Sequence, residues 1–526
     1  MNRRPGVKGG IAVAAFALIG FVFSQPALSA LDATQARGKQ IYLHGTSDSG
    51  EDITATVGNE GLTLPASSVP CASCHGRDGL GRREGGVIPP DIRWSELTKV
   101  YGHVHENGRK HDAFSEVSLA RLIRSGRDPA HNQIDSSMPR YAMGKKDMQD
   151  LLAYLNFLEH DADPGLEEKR IQIGTLLPLR GPRAAVGQAM AQVLLAQFRE
   201  INKDGGIYGR QLELLAIPHG DSPSVTVENL KSAFTKEGLF AMVGAYTVGV
   251  DDEVLEVLRQ EGAPLVGPFT LNPGDQFMNP SSFYMYPGFD DQARVLVQLA
   301  QDEKGSRVAL VAPEGQAMDR VLNAAGEVLP YDDSGISDPL RYESGRMDGG
   351  GMAEALVKKG ANAVLFLGNH AELMALMKAL DERGQAPRIY VLSAFIAQPL
   401  YDAPAAFDKR IFLAYPTLSK DMSMDGRNEY LRLADMHALP RDHLQSQIAA
   451  FAASKLMIQG LRGAGSTLTR EKLVKAIEAL YRYDTGVTPP LTYGPNRRVG
   501  ARGAHVMVVD LEKKTNKGVG EWREVK

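Results

Sequence analysis

The two cysteines of this 526-residue chain, Cys71 and Cys74, stand three positions apart and are followed directly by His75. Two cysteines in a chain of this length cannot form a disulfide framework. They also cannot provide by themselves the four thiolates of an all-cysteine zinc or iron–sulfur site. The surrounding segment is rich in Gly, Pro and Arg and cannot build a large core alone, so we expect a bound group to fill it.

The pattern Cys71-Ala-Ser-Cys74-His75 is typical of covalent c-type haem attachment. Two thiols one helical turn apart reach the two vinyl groups of one porphyrin, and the adjacent histidine supplies the proximal iron ligand. A zinc half-site would need two more ligands at matching spacing, and a redox dithiol usually follows a strand in a βαβ unit, which is absent here. We therefore predict one covalently bound haem c.

The distal iron ligand is predicted from a loop methionine, Met138, which stands between Ser137 and Pro139 and precedes a helical segment. Proline fixes such a loop and removes a competing N–H group, although the usual role of a methionine is core packing. The other possible ligands are Met143, His103, His105, His111 and His131. Methionine and histidine ligation leaves no open coordination position, which favours outer-sphere electron transfer over oxygen or peroxide chemistry.

Residues 33–160 resemble a class I cytochrome c domain, an all-α fold. The resemblance rests on Gly38 and Tyr42 in a predicted first helix, on the cysteine motif with Gly76, on Met138-Pro139, and on an apolar stripe in the last helix. That stripe consists of Met148, Leu151, Leu152, Leu155 and Leu158. The resemblance implies that the first and last helices cross at Gly38 and Tyr42. The segment between His44 and Cys71 is longer than a minimal domain needs, and residues 89–94 form a distinctive insert.

The N-terminus has the pattern of a secretory signal peptide over residues 1–30. Arg3, Arg4 and Lys8 precede the apolar run 11–23, and Ala27-Leu28-Ser29 offers a cleavage site. The alternative is an uncleaved membrane anchor, since residues 9–31 carry no charge and nearly suffice to span a bilayer. We therefore expect an exported, periplasmic protein. Its net charge of −4 argues against nucleic acid as a partner.

A short stretch rich in Pro, Gly and acidic residues, 161–169, separates two unlike parts, residues 31–164 and 165–526. In the second part, short apolar runs typical of strands alternate with helical patterns. This alternation predicts an α/β fold with parallel sheets covered by helices on both faces, and the length predicts two lobes. Ligands of such sheets bind beyond the carboxyl ends of the strands.

The second part resembles the type I periplasmic solute-binding proteins of the branched-chain amino-acid/amide group, which are similar to leucine-binding protein. The motifs are Ile173-Gly174, Pro178-Leu179, Gly181-Pro182, Ile201-Asn202, Gly205-Gly206, Gly209-Arg210, Val243-Gly244 and the run 265–273. The resemblance implies two lobes that close on a small solute. Lobe 1 is expected over about 169–287 and 416–491, and lobe 2 over about 288–415 and 492–526, joined by crossovers near 287, 415 and 492.

The resemblance also implies where the solute is held. The loops after the strands that end near Val243 and Val266 offer hydroxyl and N–H groups to a solute carboxylate. The candidate contacts over both lobes are Arg180, Tyr246, Thr247, Thr270, Asn369 and His370. No carboxylate stands at residues 393–395, where an acid that pairs with an amino group is expected. The sequence therefore argues against an ordinary amino acid as the solute.

The sequence contains no nucleophile–base set, no phosphate loop and no metal motif beyond the haem site, so we expect a protein that is not an enzyme. We predict a periplasmic c-type cytochrome electron carrier fused to a small-solute-binding module, with a dehydrogenase or oxidase as redox partner. A receptor for an ABC permease with an accessory haem is the alternative, and a ligand or redox sensor is a further one.

Overall fold

The computed structural model describes residues 31–81, 87–105, 108–271, 273, 280–329 and 338–525. The predicted signal peptide, residues 1–30, lies outside the described residues. The chain divides into two compact units, with the division after Asp161. Within the described ranges, none of the helices combines the length and the apolar composition needed to cross a membrane.

The first unit is mainly helical. Its helices are α1 (Ala33–His44), α2 (Cys71–His75), α3 (Trp94–Leu97), α4 (Glu116–Ser125) and α5 (Lys145–Phe157). Its strands are β1 (Thr54–Val57), β2 (Leu62–Pro65), β3 (His103–Val104), β4 (Lys110–His111) and β5 (Arg140–Ala142). The apolar stripe predicted for the last helix is buried in the core of this unit.

Helices α1 and α5 cross at Gly38, where an added Cβ would overlap the carbonyl of Asp150 and the side chain of Tyr154. Tyr42, one turn further along α1, is fully buried, and its ring centroid lies 5.5 Å from that of Tyr154. The Tyr42 hydroxyl donates a hydrogen bond of 2.6 Å to the carbonyl of Gly76. The helix crossing is thus bonded to the residue that directly follows the cysteine motif.

A small antiparallel sheet with the order β2-β1-β5 accompanies these helices and was not expected from the sequence. Strands of three or four residues carry too little alternation to be recognised by periodicity. The β1–β2 hairpin occupies the longer segment between His44 and Cys71. Strand β5 begins two residues after Met138 and places Arg140 opposite Thr56 of β1.

The second unit begins with a lobe whose sheet has the order β10-β9-β8-β6-β7, with neighbouring strands parallel. The strands are β6 (Arg170–Leu177), β7 (Gln211–Pro218), β8 (Ala241–Val243), β9 (Leu265–Val266) and β10 (Ser282–Phe283). Its helices are α6 (Ala184–Lys203), α7 (Pro223–Glu237) and α8 (Asp251–Glu261). Strands β6, β8, β9 and β10 are almost entirely buried, as in sheets covered on both faces, whereas the edge strand β7 is partly exposed.

The other lobe contains α9 (Phe289–Gln301), α10 (Gln316–Gly326), α11 (Gly349–Lys358) and α12 (His370–Asp381). Its sheet includes the parallel strands β11 (Val308–Pro313), β12 (Leu340–Tyr342), β13 (Ala363–Phe366), β14 (Arg388–Leu392) and β15 (Ile411–Tyr415). These strands follow the order β12-β11-β13-β14-β15.

After β15 the chain returns to the first lobe with α13 (Met424–Met436), α14 (Leu444–Ala464) and α15 (Arg470–Glu478), which pack into its core. Antiparallel strands β16 (Gly503–Asp510), β17 (Thr515–Gly518) and β18 (Arg523–Glu524) then complete the sheet of the other lobe. The lobes are therefore connected between β10 and α9, between β15 and α13, and between α15 and β16.

Candidate functional site

Cys71 and Cys74 lie on α2, one helical turn apart, and they form no disulfide with each other. Cys71 is partly buried and Cys74 is exposed. Burial raises the pKa of the Cys71 thiol to about 11, so this thiol stays protonated near neutral pH. Two unpaired thiols on one turn match the spacing that haem attachment requires.

His75 ends α2 and is buried, with 7% of its surface exposed. Its Nδ1 lies 3.1 Å from the carbonyl oxygen of Pro90, and this nitrogen carries the proton because a carbonyl only accepts. The other ring nitrogen, Nε2, is thereby left as the one with a lone pair. Burial lowers the pKa of His75, so the ring is neutral, as a metal ligand must be.

The loop that carries Pro90 is held against the cysteine motif by close backbone contacts. The N–H of Gly81 donates to the carbonyl of His75 over 2.9 Å. Gly81 has φ +83° and lies so near Pro89 that an added Cβ would overlap the Pro89 carbonyl. The insert at 89–94, noted in the sequence only as unusual, therefore supplies the carbonyl that orients His75. The thiols and the oriented imidazole together fit a covalently attached haem.

Met138 lies in the loop before β5 and is partly exposed, whereas Met143 packs against the core of the unit. The loop is linked to the attachment helix through Tyr141 of β5. The Tyr141 hydroxyl donates a hydrogen bond of 2.6 Å to the carbonyl of Val69, two residues before Cys71. The chain thus connects the predicted distal-ligand loop directly to the turn that carries the thiols.

Three of the alternative ligands, His103, His105 and His111, lie together at the β3–β4 hairpin. The Nε2 atoms of His105 and His111 are 2.9 Å apart, and His103 Nε2 lies 2.6 Å from the carbonyl of Glu96. Burial, assisted by the charge of Arg109, lowers the pKa of His105 to about 4. Across the described residues, no group of three or more His, Cys, Asp or Glu side chains is arranged to hold a metal ion.

The first lobe brings the predicted solute contacts together at the ends of two neighbouring strands. Tyr246 and Thr247 follow β8, while Phe269 and Thr270 follow β9. The rings of Tyr246 and Phe269 stack with their centroids 5.6 Å apart. The hydroxyls of Thr247 and Thr270 both donate to the carboxylate of Asp251, with 2.5 Å between the Thr247 hydroxyl and the nearer oxygen.

Asp251 is the first residue of α8 and also accepts from the N–H of Gly249. Burial raises the pKa of this carboxyl, while the hydrogen bonds from Thr247 and Thr270 oppose that shift. The two hydroxyls expected to receive a solute carboxylate are therefore already engaged by a carboxylate of the protein. A second carboxylate at the same place would meet a like charge.

In the other lobe, Asn369 is exposed and caps α12, since its side chain accepts the N–H of Glu372 over 3.0 Å. His370, the next residue, is partly buried, and its Nδ1 is buried without a hydrogen-bond partner. Arg180 lies after β6 and is exposed. Asn369 thus has a structural role of its own, whereas His370 retains a free polar atom.

An acid that the sequence did not single out lies on α9. The Oδ1 atom of Asp290 is buried without a hydrogen-bond partner, and burial raises the pKa of the carboxyl. The neighbouring Phe289 packs edge-on against Phe395, with ring centroids 4.9 Å apart. Asp290 therefore directly follows the residue that packs against Phe395, in the segment 393–395 where the sequence offers no carboxylate.

A family model described as periplasmic binding protein matches residues 170–516, more than half of the chain. The chain belongs to the periplasmic binding protein family. A second family model, described as cytochrome c, matches residues 66–159, so a cytochrome c domain precedes the periplasmic binding protein fold. The predicted fold class, a cytochrome c part followed by a two-lobed α/β part with parallel sheets, is confirmed, although the cytochrome part is mainly helical and not all-α. A cytochrome c domain implies haem c.

Curated relatives are named as Leu/Ile/Val-binding proteins. Leu/Ile/Val-binding protein homolog 3 of Brucella melitensis is 28% identical over 219 residues, which are 41% of this chain and 58% of that protein. The Leu/Ile/Val-binding protein BraC3 of Rhizobium johnstonii is 28% identical over 225 residues, 38% of this chain and 61% of that protein. The chain thus spans less than two thirds of the length of these relatives.

A crystal structure of a putative branched-chain amino acid ABC transporter from Rhodospirillum rubrum matches with a TM-score of 0.53 and 17% identity. It covers 66% of this chain and 100% of its own. At this identity the match establishes the fold of the periplasmic binding protein part and nothing finer.

Sequence reasoning missed Pro90, Asp251 and Asp290. A signal existed for Pro90, because the insert at 89–94 stood out beside the haem motif. As sequence, Asp251 is only an acid at the start of α8, where the helix dipole favours a negative charge. Its contact with Thr270 depends on the alignment of β8 with β9, which a single sequence does not specify.

Proposed function

We propose that the protein is a periplasmic electron carrier in which a haem c unit, residues 31–164, is fused to a two-lobed clamp for a small solute, residues 165–526. The observation that carries this proposal is the hydrogen bond between His75 Nδ1 and the Pro90 carbonyl beside two unpaired thiols. This arrangement fixes the tautomer of the histidine that follows the attachment motif and leaves its Nε2 lone pair for a metal. A redox dithiol needs no such histidine, and no further His, Cys, Asp or Glu side chain among the described residues completes a zinc site with the motif.

Each residue then has a definite role. Cys71 and Cys74 would hold the porphyrin through thioether bonds, and His75 Nε2 and the Met138 sulfur would bind the iron. The haem supplies one-electron redox chemistry when it is bound. The burial of His75 would keep water away from the iron on its side. With His75 and Met138 both bound, the iron would have no open coordination position, which favours electron transfer.

The solute is proposed to be small and to present no carboxylate to the loops after β8 and β9. The relatives' names point to leucine, isoleucine and valine, but Asp251 already accepts hydrogen bonds from Thr247 and Thr270. Two unit charges about 4 Å apart repel by about 4 kcal/mol at an effective dielectric constant of about 20. A hydroxyl or amino group of the solute, which donates hydrogen bonds, suits this edge.

Native mass spectrometry of the exported full-length protein tests the proposal. We expect the added mass of one haem that survives denaturation, together with any solute that co-purifies. The double variant Cys71→Ser and Cys74→Ser is the control and should lose the covalent adduct. A wild-type protein without a covalent haem would overturn the proposal.

The link between the two parts is tested with the same protein. The haem reduction potential and the rate of electron exchange with a small redox mediator are measured with and without the co-purified solute. We propose that the solute changes at least one of them. If saturating solute leaves both unchanged, the parts are fused without coupling.

A solute receptor for an ABC permease is the second candidate, favoured by the family match over residues 170–516. In that case the haem is accessory. A strain whose protein carries His75→Ala would then retain solute uptake. The electron-carrier proposal instead predicts that this strain loses the periplasmic oxidation reaction that passes its electrons to this protein.

A further inference from the structure

The side chain of Arg140, the first residue of β5, folds back onto the loop that carries Met138. Its Nη2 atom donates to the carbonyls of Ile134 and Asp135, at 2.9 and 3.2 Å, and its Nη1 atom donates to the carbonyl of Met138 itself. One guanidinium therefore holds three carbonyls of the five-residue segment 134–138, and the last of these belongs to the predicted ligand. The direction of the Met138 carbonyl is fixed by this contact.

The guanidinium is also held on its other side. It lies against Gly126, the left-handed residue that ends α4, and an added Cβ at Gly126 would overlap the Nε, Cζ and Nη2 atoms of Arg140. The carbonyl of Gly126 accepts the N–H of Ile134 over 2.9 Å. The end of α4, the guanidinium and the start of the Met138 loop thus form one connected arrangement.

The backbone of Arg140 is fixed independently of its side chain. Arg140 and Tyr141 pair with Thr56 and Ala55 of β1, and the N–H of Gly58 donates to the carbonyl of Ser136 over 3.3 Å. The base of the side chain is therefore anchored to a sheet while its tip holds the loop. Burial lowers the pKa of Arg140, which nonetheless keeps its charge because guanidinium pKa values are so high.

We propose that Arg140 is a positioning residue for the distal haem ligand: it fixes the loop from Ile134 to Met138 in the one shape that presents the methionine sulfur. The inference rests on the proposed function, in which Met138 ligates the iron. Arginine suits the task because its planar fork supplies parallel donors, whereas a lysine ammonium is a compact charge without that geometry. Pro139 and the Asp135 turn, in which the Asp135 carboxylate accepts the Ser137 N–H, restrict the same loop.

The test compares the full-length holoprotein with Arg140→Lys and Arg140→Gln. Arg124→Lys is the matched control, since Arg124 is exposed at the end of α4. Two properties are measured under native conditions: the far-red sulfur-to-iron charge-transfer band of the ferric haem as the pH rises, and the affinity for imidazole, which displaces a weakly held methionine. Urea unfolding of each variant separates a loss of general stability from a loss of ligation.

We expect both Arg140 variants to lose the band at lower pH and to bind imidazole about tenfold more tightly or better, because charge-assisted hydrogen bonds contribute on this scale. The control should match the wild type. Wild-type behaviour of Arg140→Lys and Arg140→Gln would overturn the inference while leaving Met138 as the ligand. Absence of the band from the wild type itself would instead overturn the assignment of Met138, and with it the proposed ligand set.

Discussion

The haem unit and the solute clamp differ in how far apart along the chain their functional groups lie. In the haem unit, Cys71, Cys74 and His75 share one helix of five residues, and Pro90 follows within the same unit, 15 positions after His75. In the clamp, Thr247 and Thr270 follow different strands and meet only because β8 and β9 are neighbours. A contiguous motif specifies its own geometry, whereas a strand-edge site depends on the sheet.

The two regions also use hydrogen bonds in opposite ways. The Pro90 carbonyl accepts a hydrogen bond from His75 Nδ1–H and so leaves the other ring nitrogen free to bind a metal. The Asp251 carboxylate accepts hydrogen bonds from the Thr247 and Thr270 hydroxyls, so these two donors are no longer available to an incoming solute. A hydrogen-bond acceptor of the protein therefore makes a nitrogen available to a metal at one site and makes hydroxyl donors unavailable to a solute at the other.

The largest effect is expected at the helix crossing on which the haem unit is built. Gly38→Ala places a Cβ against the Asp150 carbonyl and Tyr154, so α1 and α5 must separate. We expect a loss of about 3 kcal/mol in the free energy of unfolding, near the upper end for overpacking. Urea unfolding followed by haem absorbance measures it.

Gly326→Ala at the end of α10 is the matched control, since no atom lies within 4 Å of the added Cβ. This variant should unfold like the wild type. If Gly38→Ala did so too, the crossing would not be the close contact on which the unit depends.

The repulsion of a solute carboxylate by Asp251 is tested by the variant Asp251→Asn. Removing the charge while keeping a hydrogen-bond acceptor should raise the affinity for leucine, used as a carboxylate probe, by about tenfold or more. Titration calorimetry measures the effect, and Asp252→Asn, exposed on the same turn, is the control. Equal behaviour of wild type and Asp251→Asn towards leucine, including no binding by either, would contradict the role given to Asp251.

The features that the sequence predicts are short sequence motifs, and those that it does not predict are contacts formed only in the folded chain. The attachment motif, Gly38 and the buried stripe from Met148 to Leu158 are local patterns whose spacing implies a contact, and the structure bears out the fold built on them. Asp251 and Arg140 are ordinary as sequence: one is an acid at a helix start and the other a lone arginine. Asp251 meets Thr270 through the pairing of β8 with β9, and Arg140 meets the Met138 loop because its side chain folds back onto it. Both contacts depend on tertiary structure.

A smaller effect is expected at Asn369, which the sequence analysis counted as a candidate solute contact. Its side chain accepts the N–H of Glu372, and the Glu372 carboxylate accepts the N–H of Asn369 in return. Asn369→Ala should lower the stability of this lobe by about 1 kcal/mol, and Asn369→Asp should retain the cap. Urea unfolding followed by Trp522 fluorescence measures the change, and unchanged stability in Asn369→Ala would return the residue to the solute site.

The smallest effect concerns the histidines of the haem unit and decides whether they are structural. His105 faces His103, His111, Arg109 and Asp128, and its pKa is lowered to about 4 from an ordinary 6.5. The unfolded chain therefore takes up the proton at higher pH than the folded one, so stability is fully present above about pH 6.5 and falls as the pH drops towards about 4. His105→Gln should flatten this dependence of the urea midpoint, whereas the exposed His131→Asn should not. An unaltered pH dependence in His105→Gln would show that burial at the hairpin does not hold the ring neutral, and the cluster would again compete with Met138 as a source of iron ligands.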